Sequence, residues 1–205
     1  LSIRRKDATR KEVEMKLLRC ALLILFVCAA AYPQTQQLGE GMYFSEAGDI
    51  LIGVDVTVAV KRIESPYVMF MAFMAAKGEK SLTVNRDDVT MIYKGQEYHM
   101  PALKEIEKAY KGMKEDAGLY RSFGKELLLF DKLRYYKFPY QSEFFPTPGF
   151  GPTVWVDEGN MTALVGFKTK LYFKNPGFQK GDEVTIKVFD RKHPDSQAEI
   201  TVVLK

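Results

Sequence analysis

From residue 50 onward, hydrophobic and polar positions alternate. Val54, Val56, Val58 and Val60 are separated by Asp55, Thr57, Ala59 and Lys61. Period two with β-branched residues predicts a half-buried strand across 50–63. Residues 67–75 are apolar on both parities, which predicts a strand that is central or covered on both faces. A short strand is expected at 81–84. Residues 89–93 and 96–100 flank Lys94-Gly95 and read as a hairpin with a two-residue turn. The period then changes. Pro101 opens a helix in which Leu103, Ile106, Tyr110 and Met113 form one apolar stripe. Glu105 and Glu107 come early and Lys108, Lys111 and Lys114 late, as the helix dipole favours. Gly112 is expected to weaken this helix and Gly118 to end it. Phe123, Leu127, Phe130 and Arg134 fit a second helix within 119–136, although Leu127-Leu128-Leu129-Phe130 also reads as a strand; helix is favoured.

Residues 138–152 carry Pro139, Pro146, Pro148 and Pro152 and read as loop. Strands resume at 153–156, 162–173, 183–189 and 198–204. Turn chemistry separates them at Asp157-Glu158-Gly159-Asn160, Asn175-Pro176-Gly177, Lys180-Gly181-Asp182 and His193-Pro194-Asp195. Short strands with this punctuation predict an all-β fold, an immunoglobulin-like β-sandwich of about seven or eight strands. A helical and aromatic insertion at 101–152 interrupts a single domain over 42–205. Residues 32–41 form a polar lead-in, expected to be flexible.

The N-terminal pattern is of another kind. Met15-Lys16-Leu17-Leu18-Arg19 is a short basic segment, 20–31 is apolar, and Ala29 and Ala31 supply a small-x-small exit. These are the parts of a secretory signal over 15–31. The apolar run is shorter than the roughly 20 residues a spanning helix needs. Lipidation at Cys28 is the rival reading and would anchor the chain at a membrane surface; Val27 stands where lipoprotein processing wants a small residue. Arg10-Lys11-Glu12-Val13-Glu14 has the coding potential of a purine-rich bacterial ribosome-binding site. Residues 1–14 therefore read as a non-native upstream extension, with a genuine extended basic region as the alternative. The expected destination is periplasmic or extracellular.

Two stretches carry a family resemblance. The run from Leu82 to Tyr98, Leu-Thr-Val-Asn-Arg-Asp-Asp-Val-Thr-Met-Ile-Tyr-Lys-Gly-Gln-Glu-Tyr, resembles a polar strand leading into a Gly-containing hairpin of exported bacterial immunoglobulin-like domains. The run Gly177-Phe178-Gln179-Lys180-Gly181-Asp182-Glu183-Val184-Thr185-Ile186 is similar to the penultimate connection and strand of such sandwiches. The family is the telokin-like group of secreted domains. The resemblance implies the fold and no catalytic residue. The chain departs from the group by its 101–152 segment, and no cysteine follows Cys28 to form a sandwich disulfide.

Composition is that of a globular chain, 46% hydrophobic and 27% charged over 205 residues, and excludes disordered and disulfide-dense classes. The formal charge is +4. Residues 1–31 hold seven of the 30 basic and three of the 26 acidic residues, so 23 of each remain. The basicity belongs to the leader and points to no nucleic acid; Lys104, Lys108 and Lys111 are interleaved with Glu105, Glu107 and Glu115. Nine of the 26 aromatics fall between Phe130 and Trp155, spaced by Pro and Gly. Aromatics give large contact area at low entropy cost, so Tyr135, Tyr136, Tyr140, Phe144, Phe145 and Trp155 are candidate binding residues. The competing reading, which is favoured, is a long crossover that these rings pack onto the sandwich. Met69, Met71 and Met74 have the thioethers of a Cu(I) site, with His99 the nearest imidazole in sequence, but core packing is favoured. No metal or cofactor is expected. Catalysis has weak support: His99 and His193 lack a Gly-x-Ser-x-Gly partner, and Asp87-Asp88 and Asp157-Glu158 sit where strand parity or turns separate or solvate them. Asn160-Met161-Thr162 matches a glycosylation acceptor that would matter only in a eukaryotic secretory pathway. The expected role is non-catalytic binding or assembly in a bacterial envelope, with a protein partner favoured. A glycan or small ligand is the alternative and an envelope hydrolase the second alternative.

Overall fold

The computed structural model describes residues 35–147, 149 and 153–205. The secretory signal expected at 15–31, with Cys28, and residues 1–14 lie outside them, as does Phe150. The chain is all-β in framework, with two antiparallel sheets and a helical segment. The first sheet runs β1 (Gln36–Gly39), β2 (Met42–Ser45), β3 (Ile50–Asp55), β4 (Tyr67–Ala76) and β10 (Phe167–Lys174), in that spatial order. The second runs β12 (His193–Val203), β11 (Glu183–Asp190), β5 (Leu82–Tyr93) and β6 (Gln96–His99), with β9 (Glu158–Met161) also paired to β5. A parallel pair, β7 (Ser142–Glu143) and β8 (Val154–Trp155), stands apart. The helical segments are α1 (Thr57–Lys61), α2 (Leu103–Ala109), α3 (Met113–Phe123), a 3-10 turn (Glu126–Leu129) and α4 (Phe130–Leu133).

The second sheet keeps period two. Val184, Ile186 and Val188 on β11 and Ala198, Ile200 and Val202 on β12 are buried, and the residues between them are more exposed. One face therefore meets the core and the other meets solvent. The first sheet is covered twice. Every residue of β4 is buried, as its two-parity apolar pattern implies. Tyr67 and Phe73 lie on one face, against Tyr110 (5.6 Å between ring centroids) and Phe138 (5.6 Å). Val68, Phe70, Ala72 and Met74 have the opposite parity and turn inward to the sandwich core. The segment read as an insertion is thus a third layer on the outer face of the first sheet.

Several elements differ from the periodicity. Residues 36–39, part of the expected lead-in, are strand β1 paired to β2. The strand expected over 50–63 ends at Asp55 and is followed by α1. Asp55 is 1% exposed, and its carboxylate turns back on the chain. Oδ1 accepts the Thr57 N–H at 2.8 Å and Oδ2 the Lys125 N–H at 2.6 Å. The strands expected at 81–84 and 89–93 are one strand, β5, and its hairpin to β6 has Lys94 (φ 50°) and Gly95 (φ 78°) as the two turn residues. Positive φ at both is what a type I′ turn requires. The helix expected from Pro101 breaks at Tyr110–Gly112, and Gly118 lies inside α3 rather than ending it. The break has a cause: the Tyr110 hydroxyl donates to Asp116 six residues on, and residues six apart do not share a face of an unbroken helix. Asp157-Glu158-Gly159-Asn160 is not a turn, since β9 occupies 158–161 and the Phe167 ring lies where a Gly159 side chain would be. The turn expected at His193-Pro194-Asp195 falls at Arg191-Lys192, where the Asp190 carboxylate accepts the Lys192 N–H at 2.7 Å.

Candidate functional site

The third layer sorts the aromatic cluster into anchors and exposed rings. Phe144 and Phe145 are fully buried. Phe144 packs on Phe167 (4.9 Å) and Phe145 on Tyr172 (5.4 Å). Phe167 and Tyr172 are five residues apart on β10 and so point to opposite faces. The two adjacent rings therefore straddle the free edge of the first sheet. The Phe144 N–H donates to Thr169 Oγ1 at 2.9 Å and Lys170 Nζ donates to the Phe145 carbonyl at 3.1 Å. An ion pair between Lys170 and Glu143 completes the strap. An edge strand that would otherwise be a template for pairing is covered this way. Phe144 and Phe145 thus serve packing, and the candidate set loses them. Tyr136 is half-buried and its hydroxyl donates to the Ala76 carbonyl at 2.9 Å. Tyr135, Tyr140 and Trp155 remain on the surface, at 69%, 75% and 47% exposure.

Among the described residues, the most exposed apolar group lies outside the candidate aromatic set. Leu127 is 88% exposed and Phe130 66%. Leu128 and Leu129, beside them, reach the backbone of the first sheet at Gly39 and Gly53, where an added Cβ would lie 2.7 Å from each side chain. That close seating on two glycines holds the 3-10 turn against the sheet and leaves Leu127 and Phe130 pointing outward. A groove of about 350 Å3 lies beside them, lined by Phe73, Leu127, Leu129, Phe130, Leu133 and Phe138 among others. The segment 121–137 carries Arg121, Lys125, Lys132, Arg134 and Lys137 against Glu126 and Asp131. The ridge is apolar at its crest, and its segment carries a surplus of three positive charges on a chain that has no net charge from residue 32. The Leu127-Leu128-Leu129-Phe130 run was the available sequence signal: four apolar residues in a row cannot all face inward from a single helical turn.

A second concavity, about 510 Å3, lies between α3, β10 and the loop that follows Tyr140. Its floor is Met71 of β4 with Lys168 and Lys170 of β10, and its walls include Tyr120, Arg121, Glu126, Tyr140, Glu143 and Thr147. Lys168 pairs with Glu126 at 2.5 Å and Lys170 with Glu143. Burial pushes the Lys170 ammonium below its usual range, and the Glu143 carboxylate restores part of it. Burial, with Glu126 close by, pushes the Tyr120 phenol up. Thr147 is 5% exposed, and its hydroxyl has no hydrogen-bond partner among the described residues. Sequence reasoning found Tyr140 at this site and missed the charges. Lys168 and Lys170 stand two apart in β10, which places both on one face.

Beneath the helices, Asp116 accepts hydrogen bonds from Tyr110 (2.8 Å) and Tyr172 (3.1 Å), and Arg62 Nε lies 3.6 Å away. Burial pushes the Asp116 carboxyl above its ordinary value, against these partners, and the Tyr110 phenol is pushed up to about 12 by burial and the neighbouring carboxylate. This group ties α3 to the sheet. His193 Nδ1 lies 3.0 Å from Asp190 Oδ2. Burial raises the Asp190 carboxyl, but the hydrogen bonds from His193, Thr83 and Lys192 together outweigh it and hold it below the usual range. His99 is 3.7 Å from Glu97. Asp87 pairs with Arg86 on the surface, while Asp88, 4% exposed, pairs with Arg191, so the two adjacent carboxylates diverge. Met69, Met71 and Met74 are buried in the core. Among the described residues no group of three or more His, Cys, Asp or Glu is placed to hold a metal ion, and no helix is long and apolar enough to cross a membrane. Compared with protein families, curated proteins and solved structures, the chain matches none of them.

Proposed function

We propose that this chain is an exported, non-catalytic binding or assembly module of a bacterial envelope, and that its partner is a protein docked on the ridge at Leu127 and Phe130. The observation that carries the reading is Leu127, 88% exposed on an element seated tightly on the sheet. A rigid apolar crest is suited to enter a partner's pocket at low entropy cost. The five cations against two carboxylates over 121–137 fit a partner whose pocket is rimmed by acidic residues. Export rests on the three-part signal at 15–31, with lipidation at Cys28 as its variant. The immunoglobulin-like, telokin-like reading of the sandwich belongs to the same proposal. Two antiparallel sheets sharing one core support it. The chain changes sheet only after β4, whereas immunoglobulin domains cross after their second strand.

The test is site-specific photocrosslinking in the source bacterium, with the crosslinking side chain in place of Leu127 and, as control, in place of Lys77. A discrete protein adduct at position 127 that is lost when Lys132→Glu and Arg134→Glu are added supports the reading. Equal labelling at both positions, or an adduct indifferent to charge reversal, overturns it. The exported protein isolated in the same experiment is expected to begin at Tyr32.

A further inference from the structure

Four lysines from distant parts of the chain converge on one cleft of about 350 Å3: Lys61 at the end of α1, Lys125 after α3, Lys180 in the turn before β11 and Lys205 after β12. Its volume is at the small end of the roughly 300–1,000 Å3 of small-ligand sites. Glu40 is the one carboxylate side chain in the wall among the described residues, so the surplus is three positive charges. Counting the main-chain carboxylate at Lys205 against them still leaves two. Among the described residues none of the four ammonium groups is paired with a carboxylate, whereas Lys80, Lys168, Lys170 and Lys187 each are. From residue 32 the chain has no net charge, so this is a local excess that the fold creates.

The fold also positions the lysines. Lys61 Nζ lies 4.1 Å from the centroid of the Phe123 ring, a contact that steadies the ammonium without neutralising it. The Lys125 N–H is held by Asp55 Oδ2 at 2.6 Å. The Gly181 N–H donates to the Leu204 carbonyl at 2.6 Å and the Leu204 N–H to the Asp182 carbonyl at 2.9 Å, which brings the backbones at Lys180 and Lys205 side by side. Thr57 lies in the wall over Gly41, whose φ is 79°; a Cβ there would be 2.9 Å from the Thr57 hydroxyl oxygen. Like charges gathered in one wall repel, and a cleft walled by one sign of charge concentrates the opposite sign. Lysine binds phosphate as a point charge. A phosphate monoester carries about 1.5 to 2 negative charges at neutral pH on three acceptor oxygens, close to the surplus of the wall, whereas a carboxylate brings only one charge.

We propose that this cleft binds the phosphate monoester group of a small free ligand or of a lipid headgroup. Lys61, Lys125, Lys180 and Lys205 supply the field, and the Thr57 hydroxyl donates to a phosphate oxygen. The ridge is a separate feature, since a partner seated on Leu127 needs none of Lys61, Lys180 or Lys205. Two measurements on the full chain test the proposal and tell the two sources apart: titration calorimetry with glycerol 1-phosphate and with acetate, and sedimentation with vesicles carrying phosphatidic acid or, at equal surface charge, phosphatidylglycerol. Glycerol 1-phosphate bound at least about tenfold more tightly than acetate supports a free ligand. Sedimentation with the phosphatidic acid vesicles and not with the phosphatidylglycerol ones supports a headgroup. In either case binding should weaken as pH falls from about 7.5 to about 5.5, because the phosphate loses its second charge near pH 6 while the lysines keep theirs. Lys61→Gln with Lys180→Gln, both at exposed positions, should fold as the parent does and weaken binding by about tenfold. Lys192→Gln, at the opposite end of the β11–β12 pair, should leave it unchanged. Equal binding of glycerol 1-phosphate and acetate without a preference between the vesicles, a loss as large from Lys192→Gln as from the double variant, or no binding to either phosphate monoester would each overturn the proposal.

Discussion

Asp116 shows how one buried side chain sets a pH dependence. Its carboxylate receives Tyr110 and Tyr172 and has Arg62 near, yet burial dominates and raises its pKa above the ordinary 3.8. The folded chain therefore holds the Asp116 proton more tightly than the unfolded chain does. Between 3.8 and the raised folded value the native state binds more protons, so this group's contribution to stability falls as pH rises through that window. Asp116→Asn keeps an acceptor for the tyrosines and cannot ionise. Urea unfolding across that window should show the parent losing stability relative to Asp116→Asn as pH rises, and parallel curves would refute the assignment. Asp116→Ala should cost about 2 kcal/mol at the acid end of that window, because two buried phenols lose their acceptor, and less as pH rises through it.

At the scale of elements, the strap over β10 is a test of buried ion pairing. Lys170 and Glu143 are 7% and 15% exposed. Lys170→Met alone leaves a carboxylate in the wall without its cation and should cost about 3 kcal/mol in denaturant unfolding, whereas Lys170→Met with Glu143→Leu should recover most of it. A double variant as unstable as the single would show that the pair is not what holds β7 in place. The elements also show what periodicity conveys. β4 and the β5–β6 hairpin are legible because both are decided locally, by apolar residues on two parities and by Lys94-Gly95 in a tight turn. The end of β3 is not legible, because it is decided by where the Asp55 carboxylate finds Thr57 and Lys125, seventy residues away in one case. The α2–α3 break and the placement of β9 fail for the same reason: Tyr110 and Gly159 answer to Asp116 and Phe167 rather than to their neighbours. In the candidate sites, Tyr140 is legible as an aromatic in a Pro-rich loop. The Lys168–Glu126 and Lys170–Glu143 pairs are not, since each joins β10 to a different part of the third layer.

For the whole molecule, the two sheets are unequal. The second presents a solvated face, and the first has none that could tolerate water: Met69, Met71 and Phe73 of β4 and Tyr172 of β10 all lie beneath the helical and aromatic layer at 2% exposure or less. A covering that hides this many large side chains is part of the core and not an appendage. Burying a side chain of this kind contributes roughly 1.5–3 kcal/mol, so uncovering four forfeits an amount comparable to the about 5–15 kcal/mol that a domain has in total. Replacing 101–152 by a short Gly-Ser linker should therefore leave no cooperative thermal transition and a chain that aggregates through the bared face. A soluble product with a sharp two-state melt would mean that the sandwich stands alone and that 101–152 is an insertion in the strict sense. The same dependence fixes the geometry of the ridge, because it is built from the layer that the first sheet needs in order to fold, and it cannot move far without exposing that sheet.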